Sequence, residues 1–172
     1  MRATPTIFTF ALAAGLAALT GCSCGYNEPP PPQFMLAFSP DTLTSAGVGF
    51  RRVEIRSAYL VRYDDANLQT MLDTLRQPTP ATAKSTTALF PVYYMKDQPA
   101  QFVVPAFVRQ NVNARSFRLV VPLANRSYDI TNVVLEQTAG SGRCSAPRVS
   151  RKEATVNGQR RDALNQVPQL TK

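Results

Sequence analysis

The sequence predicts an all-β domain over residues 33–172, an antiparallel β-sandwich of immunoglobulin-like kind behind a Pro-rich tether. Three observations carry this. From Phe34 onward, apolar residues recur at every second position over most runs, the period of a half-buried strand. Gly, Pro, Asn and Asp punctuate those runs at short intervals. Helical spacing is sparse. The chain has no Trp, and it lacks the paired core cysteines of antibody domains, so the expectation concerns architecture alone.

Phe34, Leu36 and Phe38 share one face of a short strand. Val53, Ile55, Ser57, Tyr59, Val61 and Tyr63 share a face of a long one, with Glu54, Arg56 and Arg62 opposite. Residues 65–76 read in two ways. Leu68, Met71, Leu72 and Leu75 have helical spacing with Asp65 as a cap, but the stretch also reads as a hairpin turning at Asp64-Asp65-Ala66-Asn67. The hairpin is favoured because its neighbours are strands. Gln77 to Thr87 reads as loop. Ala88 to Met95, Gln101 to Val108 and Tyr128 to Leu135 are rich in aromatic and β-branched residues. Phe117, Leu119 and Val121 repeat the alternation, with Arg118 outward. Pro91, Pro105 and Pro122 mark edge, bulged or short strands. Asn157-Gly158 is a two-residue hairpin signal.

The start of the chain has a different character. Arg2 is followed by an unbroken run of apolar and small residues from Ile7 to Leu19, then by Leu19-Thr20-Gly21-Cys22. A basic start, a short apolar stretch and a small-residue exit form a secretory signal, and the stretch is shorter than the roughly 20 apolar residues that span a bilayer. The exit resembles the lipobox of bacterial lipoproteins: an aliphatic residue, a small residue, Gly or Ala, then Cys. That resemblance implies a diacylglyceryl group on the Cys22 sulfur, cleavage after Gly21 and a lipidated Cys22 at the mature N-terminus. Ser23 stands where an Asp would imply retention at the inner membrane, so the resemblance points to the outer membrane of the cell envelope. With the domain layout, including the stretch Cys144 to Gly158, the chain resembles small lipoproteins of unknown function common in Bacteroidetes. That likeness carries no catalytic residues.

Three segments follow: a signal peptide over 1–21, a lipidated tether over 22–32 and the β-domain over 33–172. Pro29 to Pro32 favours an extended polyproline II tether. Besides Cys22 the sequence holds Cys24 and Cys144, which in an oxidising envelope are candidates for a disulfide; the alternative is two free thiols.

The formal charge is +8, and removing a signal that carries only Arg2 leaves +7. Residues 143–172 hold seven basic side chains against Glu153 and Asp162. Of these, Arg143, Arg148, Arg151, Lys152, Arg160 and Arg161 are candidates to meet an anionic lipid surface or an envelope protein; the alternative is a solvated strand face. No aromatic residue follows Tyr128, so a base-stacking platform is lacking there and no nucleic-acid partner is expected. The chain has no His, which removes Ser-His-Asp and Cys-His catalysis and imidazole metal ligation. Asp64, Asp65 and Asn67 lack the mid-loop Gly and terminal Glu of a calcium loop and read as a polar turn. No cofactor is implied. The expected function is a membrane-anchored, non-enzymatic binding or structural module. The alternative is a carboxylate-dependent hydrolase of envelope carbohydrate.

Overall fold

The computed structural model describes residues 31–40, 47–79, 89–105, 114–141 and 145–172. They form ten strands: β1 (Phe34–Phe38), β2 (Tyr59–Tyr63), β3 (Met71–Arg76), β4 (Val92–Tyr93), β5 (Gln101–Val104), β6 (Ser116–Val121), β7 (Arg126–Thr138), β8 (Arg148–Val156), β9 (Gln159–Asp162) and β10 (Gln169–Leu170). One short helix, α1 (Arg52–Arg56), precedes β2. The strands make a four-stranded sheet, β10-β1-β5-β4, and a six-stranded sheet, β3-β2-β6-β7-β8-β9. Every pairing is antiparallel except that of β1 with β10.

One core joins the two sheets. Phe34, Leu36, Phe38, Phe102 and Val104 come from the first, and Leu60, Phe117, Leu119, Val121 and Ile130 from the second. The alternation of β1 and β6 read from the sequence is the alternation found, with Arg118 on the outer face. A chain of ring contacts runs through the core. Phe90 meets Phe102 at 5.1 Å, Phe102 meets Phe38 at 5.3 Å, Phe38 meets Phe50 at 5.3 Å, and Phe50 meets Tyr128 of the second sheet at 6.3 Å. Mostly tilted or edge-on rings at these separations add about 0.5–1.5 kcal/mol per pair beyond area burial.

The hairpin over 59–76 is formed, and the helical alternative is not. Asp65 decides it. Its carboxylate accepts backbone N–H bonds from Asn67 at 2.7 Å, Gln69 at 3.1 Å and Thr70 at 2.6 Å, which closes the loop locally. Met71 stays 63% exposed, so a helix would have had little to bury there. The Asn157-Gly158 turn is also as read. Both residues take positive φ, 47° and 77°, as a two-residue hairpin of this kind requires. The prolines mark strand limits: Pro91 precedes β4, Pro105 follows β5, and Pro122 opens a 3-10 turn, Pro122–Ala124, after β6.

The long strand from Val53 to Tyr63 is corrected. Residues 52–56 are helical, and Val53 is 59% exposed. Local bonds override the alternation. The Arg51 N–H donates to the Glu54 carboxylate at 2.7 Å, the Ser57 hydroxyl donates to the Glu54 carbonyl, and Gln77 Nε2 donates to the carbonyls of Ile55 and Ala58. The helix resets the phase of β2, so Leu60 faces the core while Tyr59, Val61 and Tyr63 face away. Arg62, expected outward, is buried at 2% exposure. Its guanidinium makes a two-pronged ion pair with Asp73 on β3, the Nε–Oδ1 distance being 2.6 Å. Strand limits also differ: β5 ends at Val104, β4 is two residues long, and β7 runs to Thr138.

Candidate anion-binding site

Alternation divides the predicted basic region. Along β8, Ala154 and Val156 face the core and Lys152 lies on that same side, half-buried. Burial pushes the Lys152 ammonium below its ordinary pKa. Arg151 and Glu153 lie on the opposite face, joined there by Arg160, which stands across from Thr155 on β9. Arg151 and Arg160 both converge on the Glu153 carboxylate, and Arg151 also reaches Glu136 at 3.4 Å. The pair of guanidiniums, Arg160 first, holds the Glu153 pKa down to about 2. Arg161 donates to the Gln159 side chain at 2.9 Å, and Arg148 is exposed on β8. Strand pairing thus spreads the predicted cations over two faces and neutralises part of them internally. Cys22, Cys24, Arg143 and Cys144 lie outside the described residues.

A second basic region, which the sequence reading did not single out, lines a cleft of about 700 Å³ between α1, the end of β3 and the segment around β4. Arg56, Tyr59, Arg76, Gln77, Pro91 and Tyr94 form its wall. Hairpin register sets Arg76 opposite Tyr59, and the guanidinium lies 5.2 Å from that ring's centre. Arg52 lies one helical turn before Arg56 and stacks on Tyr94 at 5.0 Å. Burial raises the Tyr94 pKa, opposed by the charges of Arg56 and Arg52. Gln77 spends its amide N–H groups on α1, which fixes the helix against the hairpin. Among the described residues, Arg52, Arg56 and Arg76 have no carboxylate partner.

On the other side of Pro91 lies an apolar cleft of about 220 Å³. Leu75, Leu89, Phe90, Val103 and Leu135 line it, with Pro31 and Pro32 of the tether at its edge. The sequence signal for the basic cleft was Arg51-Arg52 followed by Arg56, but the stretch reads as strand, in which Arg52 and Arg56 share a face with Glu54 and nothing sets Arg76 or Tyr94 beside them.

Most described carboxylates are engaged structurally. Asp73 binds Arg62, Asp129 binds Arg118 through two bonds, Glu54 binds Lys172 at 2.9 Å, and Asp65 closes its own turn. Among the described residues no group of three or more His, Cys, Asp or Glu side chains is placed to hold a metal ion. The chain matches no protein-family model, no curated protein and no solved structure.

Proposed function

We propose that the chain is a lipoprotein precursor whose mature form starts at a lipidated Cys22 and stands on the outer membrane as a non-enzymatic binding module. The Arg56–Arg76–Tyr94 cleft is the observation that carries the binding reading: cations and aromatic rings line a concavity with no carboxylate among its described lining residues. A carboxylate-dependent hydrolase would instead need two acids facing each other across a pocket, roughly 5–9.5 Å apart. The structural use of Asp73, Asp129, Glu54 and Glu153 speaks for the module. The exposed Arg148 and Arg161 remain the members of the C-terminal set best placed to meet an anionic surface or an envelope protein. The two sheets over one core support the immunoglobulin-like reading of the sandwich.

Membrane retention tests the anchor. Cys22→Ala should move the protein from the membrane fraction to the soluble fraction of the envelope and abolish incorporation of labelled fatty acid. Retention and labelling undiminished in that variant would overturn the reading.

A further inference from the structure

We propose that the cleft between α1, the end of β3 and the segment around β4 is a phosphate-binding site, in which Arg56 and Arg76 grip the anion and Arg52, Tyr59 and Tyr94 hold the walls. The proposal rests on the binding-module reading and deepens it by naming the ligand chemistry.

Four arginines of the six-stranded sheet pair with acids: Arg62 with Asp73, Arg118 with Asp129, and Arg151 and Arg160 with Glu153. The cleft arginines do not. Two guanidiniums, Arg56 and Arg76, line one concavity, Arg52 lies over the ring of its wall residue Tyr94, and among the described residues none of the three meets a carboxylate. Both cleft arginines are exposed and of one sign, so an anion entering the concavity would be attracted by both charges.

Geometry then selects the anion. Arg76 and Arg52 lie over the rings of Tyr59 and Tyr94, contacts that use no N–H group on a carboxylate. A guanidinium edge is a planar fork matched to two oxygens of a phosphate or carboxylate, and stacking restrains it before the ligand arrives. A tetrahedral phosphate offers oxygens to arginines from different directions, and Arg56 and Arg76 come to the cleft from two elements, α1 and β3. A carboxylate presents only two, in one plane. At about 700 Å³ the cleft has room for a phosphate together with a glycerol- or sugar-sized group.

The phosphate has two possible sources, a free phosphate ester or a lipid headgroup. Pro91 belongs to both the basic cleft and the apolar one, so a hydrocarbon attached to the bound phosphate has an apolar channel beside it. The tether residues Pro31 and Pro32 lie at that channel's edge.

The test is calorimetric titration of the purified full-length chain. The probes are glycerol 3-phosphate, for the free ester, and a monoacyl glycerophosphate below its micelle concentration, for the lipid. Binding of either supports the site. At least tenfold tighter binding of the acyl ester assigns it to lipid, and equal binding assigns it to a free ester. Arg56→Gln and Arg76→Gln should each weaken binding about tenfold or more, because each removes a charge-assisted fork. Arg56→Lys keeps the charge but not the fork and should recover only part of the loss. Arg115→Gln makes the same charge change beyond the far end of β2 and should leave affinity unaltered. Binding of neither probe would overturn the proposal. So would affinity indifferent to Arg56 and Arg76, or lowered equally by Arg115→Gln. The readout is binding in solution, so it succeeds or fails independently of acylation at Cys22.

Discussion

Arg62 shows how one residue can defeat a pattern. On the alternation of Tyr59, Val61 and Tyr63 it belongs outside, yet it lies inside beside Phe117, and only Asp73 makes that tolerable. A buried guanidinium that loses its partner costs about 3–5 kcal/mol, and the partial exposure of Asp73 screens some of that. Asp73→Ala should therefore destabilise the domain by about 2 kcal/mol, measured by denaturant unfolding. Replacing both partners by apolar residues, Arg62→Met with Asp73→Leu, should recover most of the loss. A loss from the single change below about 0.5 kcal/mol would show that water satisfies Arg62 without Asp73.

The same pair sets a pH dependence. The Asp73 pKa is held down, first by its bond to Arg62, and Glu153 is held at about 2 by Arg160 and Arg151. Both groups have folded pKa values below their unfolded ones, so their stabilisation is complete above roughly pH 4.5 and is lost as pH falls through the folded values. The unfolding midpoint should hold level from pH 7 to about pH 5 and decline below about pH 4, and Glu153→Gln should flatten that decline.

At the scale of elements, the sequence was legible where period and turn chemistry agreed. In β1 and β6 the large core residues Phe34, Leu36 and Phe38, and Phe117, Leu119 and Val121, fall on alternate positions. Asn157 and Gly158 supply positive φ at the two positions that need it, and Asn157 further anchors the turn by accepting the Asp129 N–H at 2.8 Å. It failed where a distant side chain set local structure. The Gln77 amide that holds α1 lies some 20 residues downstream, beyond the reach of a local window. The Arg–Tyr cleft was illegible for the same reason, since Arg56, Arg76 and Tyr94 come to line one cleft only after the hairpin and β4 are placed. The C-terminal cations were legible as a count, but their division between faces depends on register.

The end of β7 and the start of β8 pair only with each other, from Glu136 opposite Arg151 to Thr138 opposite Arg148, and form a two-stranded ribbon. In sequence Cys144 falls between β7 and β8; it and Cys24 lie outside the described residues. Leu135 of β7 and Pro31 and Pro32 line the same apolar cleft. A disulfide between Cys24 and Cys144, if formed, would tie the tether to the connection that follows β7. Alkylation of the unreduced protein should leave both cysteines unlabelled, and a cross-linked peptide should appear on digestion. Full alkylation of both would exclude the bond.

Over the whole molecule, the sheets and the tether give the cleft its setting. Phe90, Phe102 and Phe38 tie the four-stranded sheet together, and Phe50 against Tyr128 ties it to the six-stranded one. That core fixes the edge where β3 and β4 lie, and with it the arginines of the cleft. The tether enters β1 beside this edge, so an anchored domain would present the basic cleft and its apolar neighbour on the side from which the tether arrives. If the chain is anchored at Cys22 as proposed, the proposed anion site would lie on the side of the domain nearest its membrane attachment.

Anchoring is the claim on which that setting depends, and intact mass spectrometry of the protein extracted from membranes reads it most directly. The account predicts a chain lacking residues 1–21, beginning at Cys22 and heavier than the bare polypeptide by a diacylglyceryl group and an amide-linked acyl chain. A mass equal to the unmodified chain, with Met1 to Gly21 still attached or with Cys22 carrying a free thiol, would contradict it.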